Sequence, residues 1–156
     1  MEVPKVHYSL LIGFLEILDN VGGKSDISEI SSKQGLDLDY LLPILEAGEM
    51  LGLIQIESGD VSITERGHLF IAASPKVRKK ILGDILLNLD VFQNLINLIK
   101  QSEKGNISKE DLLDLVSLDD SFNGDNEDLF NWIIEWGRQA LLINYNADTE
   151  HIILRQ

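Results

Sequence analysis

Apolar residues at helical spacing, interrupted at short intervals by glycine, limit most strongly what this chain can fold into. The first stripe runs from Leu10 to Val21 and stops at Gly22-Gly23. Ser25 or Asp26 can cap a second helix, which Gly35 ends in the left-handed conformation that glycine adopts easily. The spacing therefore predicts two short helices at the start of the chain.

A third helix and a β-hairpin are predicted next. Helical spacing indicates a helix from about Asp39 to Met50 that Gly52 stops. Its predicted inner face consists of Leu41, Leu42, Leu45 and Met50. Residues 53–57 and 60–64 have the character of two strands joined by a turn at Ser58-Gly59, and Thr64 can cap a short helix that carries Leu69 and Phe70. Three helices followed by a hairpin are the order of a winged helix-turn-helix unit.

The same order is predicted to recur in the second half. Pro75 opens what we predict to be one long spine helix, whose apolar stripe is Val77, Ile81, Ile85, Leu89, Phe92, Ile96 and Ile99. After Gly105, Ser108 and Asp111 resemble a capping box, and a helix from Asn126 to Leu142 precedes a hairpin of residues 142–145 and 151–154. We therefore expect a mainly α fold with small β-hairpin wings, a tandem winged helix-turn-helix with units at residues 1–74 and 75–156.

The charges argue against a nucleic-acid ligand. The chain has 26 acidic and 13 basic residues and a net charge of −13, whereas binding of a polyanion needs cations gathered on one face. The third helix enters the major groove in a DNA reader, with the wing near the backbone. Residues 37–60 cover this region in the first unit, residues 119–135 are the corresponding stretch of the second, and neither stretch has a lysine or arginine. Their carboxylates are Asp37, Asp39, Glu46, Glu49, Glu57 and Asp60, and then Asp119, Asp120, Asp125, Glu127, Asp128 and Glu135. The sequence favours a protein partner.

The motifs do not add up to a catalytic, metal or cofactor site. The chain has no cysteine, and its three histidines are scattered. Gly22-Gly23-Lys24-Ser25 lacks the first glycine and the preceding strand of a phosphate-binding loop. Residues 119–124 match the opening of a calcium loop, but its twelfth position is Phe130 in place of glutamate. We expect a non-enzymatic protein without metal or cofactor, located in the cytoplasm and not inserted in a membrane.

Two groups of residues are candidate interaction sites. The first is a basic cluster at the start of the predicted spine helix, which faces either solvent or an acidic partner surface: Lys76, Arg78, Lys79 and Lys80. The second comprises Trp132 and Trp136, as core or subunit-contact aromatics, with Arg138. We expect Gly137 to permit a close approach and Arg138 to pair with a carboxylate.

The order of motifs resembles the AAA-associated C-terminal domain, which follows the ATPase in subunits of nitrate/sulfonate/bicarbonate-type ABC transporters. The matching segments are Leu15-Glu16-Ile17-Leu18 with Gly22-Gly23, Leu41-Leu42-Pro43-Ile44 with Glu46-Ala47, Leu51-Gly52-Leu53, Gly59-Asp60 with Ile63-Thr64 and Gly67, and Trp136-Gly137-Arg138 with Tyr145. The resemblance implies tandem winged helices with a regulatory or assembly role beside an ATPase, and no ATP hydrolysis. Gln139 and Asn146 depart from the family's common tyrosine and aspartate, which puts any ligand site at those side chains in doubt.

Three functions remain open from the sequence. The favoured one is a regulatory protein-interaction module that binds a transporter ATPase subunit or a second copy of itself, as a homodimer. The alternative is a winged-helix DNA-binding transcription regulator, which the fold suggests by analogy. A third is a dimerisation module like the winged N-terminal region of many small-molecule methyltransferases. The sequence leaves open whether the chain stands alone or is part of a longer ATPase.

Overall fold

The computed structural model describes residues 2–118 and 125–155. It is mainly helical with two small antiparallel sheets of three strands each. The chain divides into two compact units, one of Pro4–Arg78 and the other of Met1–Val3 with Lys79–Gln156. The predicted mainly α fold with small β elements is confirmed at this level.

The first half contains four helices and three short strands. They are α1 (Tyr8–Asn20), β1 (Lys24–Asp26), α2 (Ile27–Gln34), α3 (Leu38–Met50), β2 (Ile54–Glu57), β3 (Asp60–Ile63) and α4 (Glu65–Ala72). The strand order is β1-β3-β2, with Lys24 opposite Ser62 and Glu57 opposite Asp60. The predicted helices and hairpin are confirmed. Strand β1 was not predicted, because three residues are too few to show an alternating pattern.

Helix ends in this half lie where the capping residues indicate. Asp26 caps α2 by accepting a hydrogen bond from the Glu29 amide at 3.1 Å. Gly35 ends α2 with φ of 64°, a conformation that glycine adopts without a Cβ clash. Thr64 caps α4 through the Gly67 amide at 3.0 Å. These polar side chains satisfy backbone groups that a helix end leaves without an intrahelical partner.

The second half repeats the order of the first from its second helix onward. Its elements are α5 (Pro75–Leu86), α6 (Asp90–Gln101), β4 (Asn106–Ser108), α7 (Lys109–Ser117), α8 (Asn126–Gln139), β5 (Ile143–Asn146) and β6 (His151–Leu154). The strand order β4-β6-β5 is the counterpart of β1-β3-β2. Ser108 and Asp111 form the predicted capping box of α7. Helix, strand, two helices and hairpin thus occur in the same sequence in both halves.

The predicted spine helix is two helices instead of one. Helix α5 ends at Leu86, α6 begins at Asp90, and the two are bent by 91°. The Asn88 side chain donates to the Asp84 carbonyl at 3.2 Å, and the Leu89 amide bonds the Leu86 carbonyl at 2.9 Å. These local bonds close the end of α5, and the Asp90 carboxylate favours a new helix start through the helix dipole. The apolar stripe did not predict the break, because the helical spacing of its residues continues from α5 into α6.

Helix α3 buries only part of the inner face predicted for it. Leu41 and Leu45 are in the core as expected, together with Ile44. Leu42, however, is 51% exposed. Neighbouring residues on a helix point about 100° apart, so Leu42 lies on a different side of α3 from the fully buried Leu41. The apolar run left this choice open, and packing places Leu42 outside.

A glycine holds the third helix of each half against the following strand. A Cβ on Gly48 would lie 2.8 Å from Ile54 Cδ1, and one on Gly137 would lie 2.7 Å from Ile143 Cδ1. Both distances are shorter than a packed methyl contact allows. The close approach predicted for Gly137 is therefore confirmed, and Gly48 performs the same task in the first half.

Within residues 2–118 and 125–155, no single helix is long and apolar enough to cross a membrane. Helices α5 and α6 reach that length and composition only as the bent pair.

Candidate interaction surfaces

Helix α3 presents an acidic and apolar face to solvent. Leu38 and Leu42 lie one turn apart and are 47% and 51% exposed. Glu46 and Glu49, also exposed, continue the same line along the helix. We call these four residues the α3 stripe. The stripe thus places two exposed leucines and two carboxylates along one side of α3.

The carboxylates that argue against nucleic acid do lie on the surface. Asp37, Asp39, Glu46, Glu49 and Glu57 are exposed, and Asp60 is half-exposed. Asp60 is 3.9 Å from Lys24, which neutralises it only in part. In the second half Asp125, Glu127 and Asp128 are exposed as well. Asp119 and Asp120 lie outside the described residues. The solvent-exposed sides of α3 and of the start of α8 are therefore anionic.

Arg78 is turned into the first unit instead of facing a partner with the neighbouring lysines. It donates from Nη2 to the Ile71 carbonyl at 2.6 Å, and its Nη1 is 3.7 Å from Glu16 Oε1. Its side chain is only 18% exposed. Burial raises the pKa of Tyr8, and the positive charge of Arg78 partly opposes that rise. Arg78 therefore connects α5 with α4 and α1, and the predicted basic cluster loses its most strongly hydrogen-bonding member.

The three lysines of that cluster remain near the surface. Lys76 and Lys80 are exposed, Lys79 is half-exposed, and Val77 between them is 46% exposed. Lys76 and Lys80 are one helical turn apart, so their ammonium groups share one side of α5. Helix α5 therefore exposes lysines and one valine near its start, whereas the α3 stripe exposes glutamates and leucines.

Trp136 is a core residue, since its side chain is fully buried, and so it lies outside any contact surface. Trp132, one turn earlier on α8, is half-exposed. The burial of Trp136 and the contact of Gly137 with Ile143 give Trp136-Gly137 a packing role. Of the three-residue segment, only Arg138 reaches solvent.

Arg138 forms a corner with Tyr145 instead of the carboxylate pair predicted for it. Its guanidinium lies 5.7 Å from the centre of the Tyr145 ring and donates to the Tyr145 carbonyl oxygen. The Tyr145 ring in turn meets the Phe130 ring edge-on, with 5.3 Å between centroids. A guanidinium held by a ring and a carbonyl keeps its charge and its remaining donors available. We call Arg138, Tyr145 and Phe130 the arginine corner.

A shallow pocket of about 410 Å³ adjoins the arginine corner. Its lining consists of Phe130, Asn131, Ile134, Glu135, Arg138, Gln139, Tyr145 and Ala147. Gln139, where the family commonly has tyrosine, is part of this lining. Asn146 instead closes its own turn, accepting from the Asp148 and Thr149 amides at 2.9 and 3.2 Å. An aspartate has the same acceptor oxygens, so this departure is explained by turn formation.

Helices α7 and α8 are joined by an ion pair that the sequence did not predict. Lys109 donates to Glu127, and its ammonium lies 4.9 Å from the centre of the Phe130 ring. The hydrogen bond to Glu127 is the main reason that the pKa of Lys109 is raised. The pair lies beside Phe130 and so supports the arginine corner from the neighbouring helix.

No cluster of histidine and carboxylate side chains that could hold a metal occurs in the part of the chain that the structure describes. His68 lies 3.4 Å from Asp19, and the His151 Nδ1 is 2.7 Å from the Thr149 carbonyl oxygen. The segment that resembles a calcium loop, residues 119–124, lies outside the described residues. Gly22-Gly23 ends α1 with positive φ at both residues, as expected of a helix stop.

Fold and surfaces together define a mainly helical, acidic chain with exposed carboxylates and leucines on α3. The chain belongs to the family of the C-terminal AAA-associated domain, whose model matches residues 28–146. The suspected resemblance is confirmed at the level of that family. Comparison with curated proteins and with solved structures found no match to this chain.

Proposed function

We propose that this chain is a non-catalytic regulatory module that binds an ABC transporter ATPase of the nitrate/sulfonate/bicarbonate type in the cytoplasm. Membership of the AAA-associated family carries this proposal, since that domain accompanies an ATPase. The anionic surfaces support a protein partner over nucleic acid, because phosphate contacts require cations.

Each half is proposed to be a winged helix. The order of helix, strand, two helices and hairpin supports this reading, as does the placement of the last strand in the middle of each sheet. In such a unit α3 and α8 are the third helices, which face the ligand in DNA-binding members. Fold alone does not decide the ligand. The argument for a protein ligand therefore rests on the charge of these helices.

The arginine corner is the proposed contact with the ATPase. Arg138 is the exposed residue of the Trp136-Gly137-Arg138 segment. Arginine is enriched at protein interfaces, because its guanidinium provides both a charge and a flat face for stacking. Its stacking on Tyr145 pre-organises the guanidinium, which lowers the entropy lost on binding. A carboxylate of the ATPase is the expected partner of this group.

The test is direct binding between the purified chain and the purified ATPase subunit, measured by calorimetry with and without ATP. We expect micromolar binding that Arg138→Ala weakens, while Arg155→Ala, which removes another exposed arginine of the same half, leaves it intact. A change in the ATPase rate on adding the chain would support regulation. Absence of binding at concentrations far above the micromolar range would refute the proposal.

The rival function is tested with labelled DNA duplex at two salt concentrations. We expect only weak, non-specific retention, because α3 has no lysine or arginine and α8 has one cation, Arg138, among exposed carboxylates. Tight, sequence-selective binding with a steep salt dependence would favour the transcription regulator instead.

A further inference from the structure

Helix α5 presents a stripe with the same spacing as the α3 stripe. Lys76, Lys80, Asp84 and Leu87 are exposed and follow the spacing i, i+4, i+8 and i+11. The Leu87 amide bonds the Gly83 carbonyl at 3.1 Å, so the helical path extends to this residue. We call these four residues the α5 stripe. Leu38, Leu42, Glu46 and Glu49 repeat the same intervals on α3, and each stripe is about 16 Å long.

The two stripes are complementary when laid antiparallel. Glu49 then lies opposite Lys76 and Glu46 opposite Lys80, so each carboxylate meets an ammonium group. At the other end, Leu38 lies opposite Leu87, which joins two exposed leucines. Asp84, opposite Leu42, is the one mismatch in the alignment.

The glutamates of the α3 stripe and the lysines of the α5 stripe are available for ion pairs with another molecule. Within residues 2–118 and 125–155, Glu46, Glu49, Lys76 and Lys80 form no ion pair. Arg78 and Lys109, by contrast, are each bound to a glutamate. Solvated charges on a surface attract a surface of opposite sign as it approaches, and their pairing fixes how the two surfaces align.

We infer that the α3 stripe of one copy docks on the α5 stripe of a second copy of this chain. The inference goes beyond binding of an ATPase and does not depend on it, since it uses other residues than the arginine corner. Two helix faces make a small contact, below the area of a standard stable interface. The association is therefore weak, with a Kd on the order of 100 µM, and weakens further as salt screens the ion pairs.

Sedimentation equilibrium of the full chain, from about 10 µM to about 1 mM, tests the inference. Wild type is expected to gain mass with concentration. The double variants Glu46→Lys/Glu49→Lys and Lys76→Glu/Lys80→Glu are each expected to associate roughly tenfold more weakly. An equimolar mixture of the two variants regains association, because each reversed stripe then meets an oppositely reversed one.

The variant Glu46→Lys/Glu49→Lys distinguishes a specific contact from general charge repulsion between copies. Glu46→Lys/Glu49→Lys makes the net charge less negative, so general repulsion predicts stronger association for it, whereas the docking contact predicts weaker association. Leu38→Ser, which removes the leucine opposite Leu87, is expected to weaken association, while Leu69→Ser, at a 64% exposed leucine outside the stripe, leaves it unchanged. Circular dichroism confirms that each variant is folded.

A wild type that stays monomeric at the highest concentration would overturn the inference. So would a mixture of the two charge-reversed variants that fails to recover association. Neither result bears on ATPase binding, which is measured with the arginine-corner variant and not with these.

Discussion

Gly137 determines how closely α8 approaches strand β5. Gly137→Ala is expected to lower the free energy of unfolding by about 1–3 kcal/mol, because the new methyl would lie 2.7 Å from Ile143 Cδ1. Adding Ile143→Val removes that methyl and should recover part of the loss. Gly13→Ala is the control, since open space surrounds Gly13 inside α1. There alanine should stabilise by about 1 kcal/mol, and urea unfolding measures all three variants.

Arg78 and Lys76 differ in their effect on stability although they are two residues apart. Arg78→Ala is expected to cost about 1–3 kcal/mol, because the Ile71 carbonyl loses its donor and Glu16 loses its partner. Lys76→Ala, at an exposed position, should change stability by less than about 0.5 kcal/mol. Equal effects of the two substitutions in thermal unfolding would contradict the inward placement of Arg78.

Helix ends are the elements that sequence predicts best in this chain. Asp26, Gly35, Thr64 and Ser108 act through bonds to backbone a few residues away, and each end lies where the type of residue indicates. The break at 87–89 was missed although Asn88 and Asp90 are signals of the same local kind, because the apolar spacing runs across it.

Features that depend on distant residues were not predictable. The exposure of Leu42, the inward turn of Arg78 and the stacking of Arg138 on Tyr145 are decided by packing between elements. The close approach of Gly137 was predicted, whereas the same role of Gly48 was not. Chemical identity alone does not distinguish a surface cation from one that connects helices.

The cap of α2 gives this element a pH dependence. Hydrogen bonds to its carboxylate, first from Ser28 and then from the Glu29 amide, lower the pKa of Asp26. A carboxylate whose pKa is lower in the folded state stabilises the fold at pH values above its unfolded-state pKa, which is near 4. That contribution is lost as the pH falls through the folded-state pKa. The stability deficit of Asp26→Ala relative to wild type should therefore shrink below about pH 4.

Thr64→Ala provides the matched control for this titration. Thr64 caps α4 with a hydroxyl that does not ionise, so its cost should be the same at pH 7 and at acid pH. Denaturant unfolding of both variants over this range measures the difference. A deficit of Asp26→Ala that is independent of pH would contradict the capping role of the ionised carboxylate.

The net charge of −13 acts on the molecule as a whole. Like charges repel in the folded state more than in the expanded unfolded chain, and salt shortens the range of that repulsion from about 30 Å at 0.01 M to about 10 Å at 0.1 M. Raising sodium chloride over this range should therefore raise the unfolding temperature. The gain should be smaller in Glu46→Lys/Glu49→Lys, which carries less charge to screen, and larger in Lys76→Glu/Lys80→Glu. If instead salt lowered the unfolding temperature of wild type, attractive ion pairs such as Arg78 with Glu16 would outweigh the repulsion, and the acidic surface would not be the dominant electrostatic feature of the fold.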